Sequence, residues 1–441
     1  MKKLLSLLLM LLVLLPCAGC SGRSKPLRIC IDLESVTDLY KSVELDQAIY
    51  DLEYSIKSSE GIDNYVIEVI PAWGDERDAA IDRVRTEMMS GGGPDVFITQ
   101  CVGDFSNTQI GNPIFAMPEK AMELGLFLPL DEYIENAKYS EWDKFTKSVM
   151  DAGKNEEGQQ LIPLTYSVPT AIYRSSDFSY TATNLTWQEM LNDDELYDTA
   201  ARLGDGETII RAFDSKLDCI LGKIADYKEE KLAFSEDELY HRVTEICELT
   251  AYTNETEPYY TEGWMESSIG YKFNRNDGAG NWRLGYNNGI RDTDSLSIVP
   301  LYSDDGGCTA IVLAFAAVNR NTMRPDDAFA VIDLLCATGK QKYSPLLSDY
   351  VYRAFENASM PMHEDVMSVK SPSDASIDLT ATNFAAVSAV RDQITNVQFA
   401  GSLNAELDKL VKECWTAYRN GQDYSDIVHE HFLIMQRMLS E

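Results

Sequence analysis

The chain has 441 residues, of which 45% are hydrophobic and 10% aromatic, enough material for two or three domain cores. Its formal charge of −33 repels phosphate backbones and anionic surfaces, which sets nucleic acid aside as a partner. Beyond the first segment no apolar run is long enough for a membrane-spanning helix.

The chain opens with MKKLLSLLLMLLVLLPCAGC. Lys2 and Lys3 form a positive head, Leu4 to Leu15 an apolar run too short for a membrane span, and Pro16 breaks it before Ala18, Gly19 and Cys20. This resembles a bacterial lipoprotein signal, in which Cys20 becomes the lipidated N-terminus. Cys17 stands where that pattern commonly has Leu; the alternative is an ordinary secretory signal. Either reading places the protein outside the cytoplasm. Removal of Lys2 and Lys3 with the signal brings the charge from −33 to −35.

Leu27 to Leu33 is the first predicted strand, and Val43 to Ile56 has helical spacing. Tyr65 to Ile70 alternates as a second strand. Ala79 to Met89 follows as a helix with Ile81, Val84 and Met88 on one stripe, and Asp95 to Thr99 is a third strand. This rhythm indicates βαβ units and a parallel sheet. The stretch 185–255 reads as mostly helical, with Thr186-Trp187-Gln188-Glu189 as a capping box. Short strands are predicted at Trp282 to Tyr286 and Leu296 to Val299, and a stronger one at Cys308 to Val318. A helix over Pro325 to Thr338 and two amphipathic helices between Ala405 and Ser440, split at Asn420-Gly421, complete the chain.

Apart from Cys17 and Cys20 there are seven cysteines, an odd number without any C-x-x-C, set mostly among apolar neighbours. They read as small buried hydrophobes in preference to a disulfide framework or zinc site. His429-Glu430-His431 puts its rings on different helix faces, unlike H-E-x-x-H, and Asp304-Asp305-Gly306 lacks the oxygen ladder of a calcium loop. No G-x-S-x-G occurs, although a glycosidase carboxylate pair stays open among so many acids. No catalytic residue, metal site or cofactor is assigned.

The segment Gly91-Gly92-Gly93-Pro94-Asp95-Val96-Phe97 is the most distinctive internal feature. Glycines end a helix, Pro94 forbids its continuation, and a strand follows, where a phosphate-binding loop would need Gly-Lys-Ser/Thr opening a helix. A lipoprotein signal followed by helix-GGGPDVF-strand resembles the extracellular solute-binding proteins of bacterial ABC importers, in particular the sugar-binding group of family 1 that includes maltose-binding protein. Further segments are similar in the same order. Leu124 to Ile134 resembles a G-x-L-x-P-L-D-E-Y-I segment. Gln160 to Tyr173 resembles a crossover strand, with Arg174 where Asn is typical. Ser297 to Leu301, with Cys308 to Asn319 and Pro325 to Leu335, resembles the second crossover and return. Gly421 to Asp426 resembles a C-terminal turn, with Ile427 where Ala is common.

The resemblance implies a periplasmic-binding-protein-like fold of two α/β lobes joined by crossover hinge strands, with a ligand cleft between them. It implies a signal over 1–20, lobe one over 21–164 plus 301–345, and lobe two over 165–300 plus 346–441. It implies no enzyme activity, a small-molecule ligand that is a sugar or oligosaccharide, ABC permease subunits as partners, a monomer, and attachment to the cell membrane through Cys20. A surface glycoside-active enzyme and a binding protein serving a sensor kinase are the rival readings. Candidate ligand contacts lie in loops at strand C-termini: Asp104 and Phe105 after the third strand, Tyr166 on the crossover, and Tyr286 and Asn287 after the Trp282 strand. Trp73, Trp264 and Trp282 are candidate stacking platforms among 23 Tyr and 6 Trp.

Overall fold

The structure, a computed structural model, describes residues 25–33, 49–71, 74–101, 113–175, 179–181, 183–193, 216–251, 269–273, 280–284, 295–337, 360–364 and 381–441. The apolar run after Pro26 forms β1 (Leu27–Asp32), and the alternating segment forms β2 (Tyr65–Val69). Helix α1 (Gly74–Met89) buries the Ile81/Val84 stripe and leads to β3 (Val96–Gln100). The three strands are parallel in the order β2-β1-β3, with Ile29 opposite both Ile67 and Val96. Gly91 and Gly93 take φ of +80° and +97°, which a side chain resists, so they turn the helix end sharply into β3. Helix α2 (Pro118–Glu123) opens on its proline.

β4 (Leu161–Ser167) and β5 (Thr170–Arg174) are separated by Val168-Pro169. Helix α3 (Trp187–Leu191) starts on the predicted capping box. The Glu189 N–H donates to Thr186 Oγ1 at 3.2 Å, and the Thr186 N–H donates to Glu189 Oε2 at 2.8 Å. Helix α4 (Glu236–Ala251) and a hairpin of β6 (Ile269–Phe273) with β7 (Gly280–Leu284) follow. β8 (Leu296–Pro300) pairs antiparallel with β5. β9 (Cys308–Val318) is buried along its whole length; its second half runs antiparallel between β3 and β4. Helix α5 (Pro325–Cys336) closes against it.

β10 (Met360–Pro361) pairs with β4, and helix α6 (Ala381–Arg391) leads to β11 (Ile394–Phe399), parallel to the first half of β9. The main sheet is therefore ordered β10-β4-β9-β3-β1-β2, with β11 on β9. It is mixed, where the rhythm of its first strands predicted a parallel sheet: β9 returns from the far part of the chain and enters against β3 and β4. Helices α7 (Ser402–Arg419) and α8 (Ser425–Ser440) pack on each other and on α4.

The other differences are local. α1 begins at Gly74, five residues before the predicted start at Ala79, because an acidic first turn of Asp75 and Glu76 suits a helix N-terminus. The Trp282 strand spans Gly280–Leu284 because it pairs with β6. Within 185–255, the described residues add a small hairpin at 225–226 and 231–232 to the predicted helices. These seven cysteines are all buried, as their apolar neighbours suggested. Among the described residues no helix is long and apolar enough to cross a membrane.

Candidate functional site at the crossovers and the carboxyl edge of the sheet

Three passages of the chain meet at one junction. Val168-Pro169 carries the chain from β4 into β5, and the returning Leu301 donates its N–H to the Pro169 carbonyl at 2.9 Å. β10 lies alongside, with Met360 opposite Tyr166 and Pro361 opposite Thr165. Next to them the Thr146 N–H donates to the Met362 carbonyl at 2.9 Å. Tyr166 is fully buried here, with its hydroxyl 3.3 Å from Thr146 Oγ1. Burial pushes its phenol well above the ordinary range, so it stays neutral. A few extended segments joined by backbone hydrogen bonds are suited to a hinge: small φ/ψ changes there rotate whole bodies while the bonds survive.

The carboxyl ends of β1, β2 and β3 share one edge of the sheet. In open α/β sheets, ligands bind outside such an edge. It is built on a buried ion pair. Asp32 ends β1 and is fully enclosed, and Arg77 reaches it from the first turn of α1. Arg77 Nη1 donates to Asp32 Oδ1 at 2.7 Å and Nη2 to Oδ2 at 3.3 Å. Arg77 Nη1 also donates to the Pro71 carbonyl at 3.0 Å, fixing the exit of β2. Loss of water raises the Asp32 carboxyl above its usual range, against the pull of the Arg77 guanidinium. Beside the edge, Glu119 at the start of α2 accepts the Phe399 N–H at 2.8 Å through Oε1, while its Oε2 is enclosed without a partner. Burial pushes this carboxyl up to about 7.

Tyr166 is the one predicted ligand residue whose side chain the structure describes. Trp282 is placed on β7 opposite Tyr271 of β6 by its backbone alone. Trp73, Asp104, Phe105, Trp264, Tyr286, Asn287 and Cys20, the expected lipidation residue, lie outside the described residues. Trp73 and Asp104 each follow the last residue of β2 and β3 by four positions in sequence; the described pair itself stands at those strand ends, with Asp32 opposite Thr99 of β3 and Arg77 bonded to Pro71 just after β2. Sequence reasoning missed this pair. Its signal was available: an Asp ending the otherwise apolar Ile29-Cys30-Ile31 run, and an Arg among the acids of a helix start.

The two tail histidines part as the spacing predicted. His429 is exposed beside Glu236, while His431 is buried between Glu406 and Glu413, with ring-to-oxygen distances of 2.6 and 3.3 Å. Burial disfavours its charge, but the two carboxylates outweigh that and raise the His431 pKa.

No family model and no curated protein matches the sequence. Solved structures do match in fold. The sugar-binding protein MalE from Xanthomonas citri superposes with a TM-score of 0.55 at 15% identity, over 94% of this chain and 98% of its own. This is the two-lobed fold of the periplasmic solute-binding proteins. A periplasmic oligogalacturonide binding protein from Yersinia enterocolitica gives 0.52 at 14% identity, covering 94% of this chain and 99% of that one. An extracellular solute-binding protein of family 1 from Alicyclobacillus acidocaldarius gives 0.51 at 14%, covering 95% and 100%. Two chains described as de novo designed esterases reach 0.53 and 0.54 at 13% identity, so the fold by itself does not decide between binding and catalysis.

Proposed function

We propose that this chain is a substrate-binding lipoprotein that captures a small solute, a sugar or oligosaccharide, and hands it to an ABC permease without covalent chemistry. The observation that carries the reading is the junction of three backbone-bonded passages at Pro169, Leu301 and Met360. A hinge of that kind lets two concave faces close over a solute and remove it from water. The likeness to sugar-binding chains of the same architecture favours a carbohydrate. This reading divides the chain into lobe one over 21–164 plus 301–345 and lobe two over 165–300 plus 346–441. In this reading the loops after β2 and β3 supply Trp73, Asp104 and Phe105, and the second lobe supplies Trp264, Trp282, Tyr286 and Asn287. Tyr166 acts at the hinge. Cys20 carries the lipid that keeps the binder beside its permease.

A thermal-shift screen of the purified protein over sugars, peptides and amines tests this. A ligand at 100 times its dissociation constant adds about 2.7 kcal/mol, which is easily read as a melting shift. Sugars, recovered unchanged afterwards, are expected to give that shift. A shift confined to peptides or amines removes the carbohydrate assignment, and hydrolysed sugar in the recovered sample removes the binding-protein reading.

A further inference from the structure

The edge of the sheet opposite the ligand edge carries three exposed apolar side chains. Met89, Leu124 and Met323 are 89%, 65% and 90% exposed, the three most exposed large apolar side chains among the described residues. They sit on three turns laced into one platform. The Asn319 side-chain amide donates to the carbonyls of Gly92 and Pro94 at 2.9 and 2.8 Å, tying the turn after Met89 to the turn before Met323. Thr322 Oγ1 donates to Asp95 at 2.6 Å across the same seam. The Arg320 N–H donates to the Leu126 carbonyl at 3.0 Å and its Nε to Phe127 at 3.1 Å, which joins the turn of Leu124. The first described residues enter at this platform. Arg324, next to Met323, donates to the Asn64 carbonyl at 2.6 Å and to the Lys25 carbonyl at 3.4 Å.

We infer that this platform rests on the lipid bilayer surface, with Met89, Leu124 and Met323 in the headgroup region. The inference rests on lipidation of Cys20. Only Ser21, Gly22, Arg23 and Ser24 separate Cys20 from Lys25, a reach of at most about 18 Å even when fully extended. So short a connection holds the N-terminal ends of β1 and β3 near the membrane and keeps the local concentration of the platform at the surface high. Against the repulsion between the acidic body and anionic headgroups, the tether carries Arg23 and Lys25 in its sequence, charges of the sign such headgroups attract. Methionine side chains are unbranched and adaptable, which suits an irregular headgroup layer. The ligand edge then stands roughly a strand length, ~20 Å, farther from the bilayer and faces passing solute.

The test uses the full lipidated protein in vesicles of phosphatidylglycerol and phosphatidylethanolamine, without permease. An environment-sensitive fluorophore is attached to Met89→Cys, Met323→Cys or Glu76→Cys; the seven native thiols are buried and do not compete. Glu76 is exposed at the other end of α1, about 20 Å from Met89 along the helix. Lipid-borne nitroxide is expected to quench the Met89 and Met323 labels several-fold more than the Glu76 label, and iodide the reverse. Equal quenching at all three positions overturns the inference. Shielding of Met89 and Met323 that persists in unlipidated Cys20→Ala protein free of vesicles indicates a second copy on the platform, which overturns it too. Mass spectrometry and fractionation separate the underlying reading. A soluble protein without a lipid on Cys20 refutes the anchor itself, whatever the labels do.

Discussion

Arg77 and Asp32 are each harmless only in the other's presence. Removing one partner of a buried pair leaves an uncompensated charge and costs about 3–5 kcal/mol, whereas removing both with shape kept is far milder. Asp32→Asn alone is therefore expected to lower the melting temperature by about 6–20 °C, at ~2–4 °C per kcal/mol for domains of this size. Calorimetry of Asp32→Asn, Arg77→Met and the double variant should show the double losing less than the sum of the singles. Simple additivity would mean the two groups are not coupled. His431 gives a pH signature. Its folded pKa is raised, so its stabilisation is complete below the unfolded value of about 6.5 and fades as pH rises through the folded value. Glu406 is lowered, chiefly by the His431 hydrogen bond, so its share is present above about 4.5 and is lost as pH falls through the lowered value. The melting temperature of Glu406→Gln should lose part of its fall between pH 6 and 8 relative to the parent (values on the order of the histidine range). An unchanged pH profile would show that His431 is not charged in the fold.

At the scale of elements, the chain announced itself unevenly. β9 was legible to the residue because eleven apolar or small side chains in a row are compatible with a strand buried on both faces. The end of α1 was legible because Gly91 to Pro94 can do little else. β11 was not: in Ile394–Phe399 the adjacent polar pair Thr395-Asn396 breaks the alternation, and its strand character comes from pairing with β9 across a long stretch of sequence. The same contact makes Gly307 a sharp probe. It has φ of +69°, and a Cβ there would lie 2.5 Å from the Gln393 carbonyl. Gly421 has φ of +66° with nothing within 4 Å. Gly421→Ala should cost about 1 kcal/mol for the backbone conformation alone, and Gly307→Ala well beyond ~2 kcal/mol, since a backbone clash is added. Denaturant melts that rank the two equally would show that the turn before β9 does not lean on β11.

Across the whole molecule, the order of weak segments carried more than any one of them, because each corresponds to a place where the chain must turn, cross or return. GGGPDVF marks the entry to β3, QLIPLTYSVPTAIY the first crossover, and SIVPL the second. The proposed cleft residues are far less legible. Ligand contacts in general sit on loops, whose composition answers to the solute and not to the fold, and the proposed contacts Asp104 and Trp264 look in sequence like any other acid or aromatic. Closure on a solute is the claim from which the rest follows, and small-angle scattering of the protein with and without a panel of oligosaccharides tests it most directly. The account predicts that at least one sugar contracts the radius of gyration and is recovered intact. No contraction with any sugar, or contraction only as the sugar is hydrolysed, would contradict it.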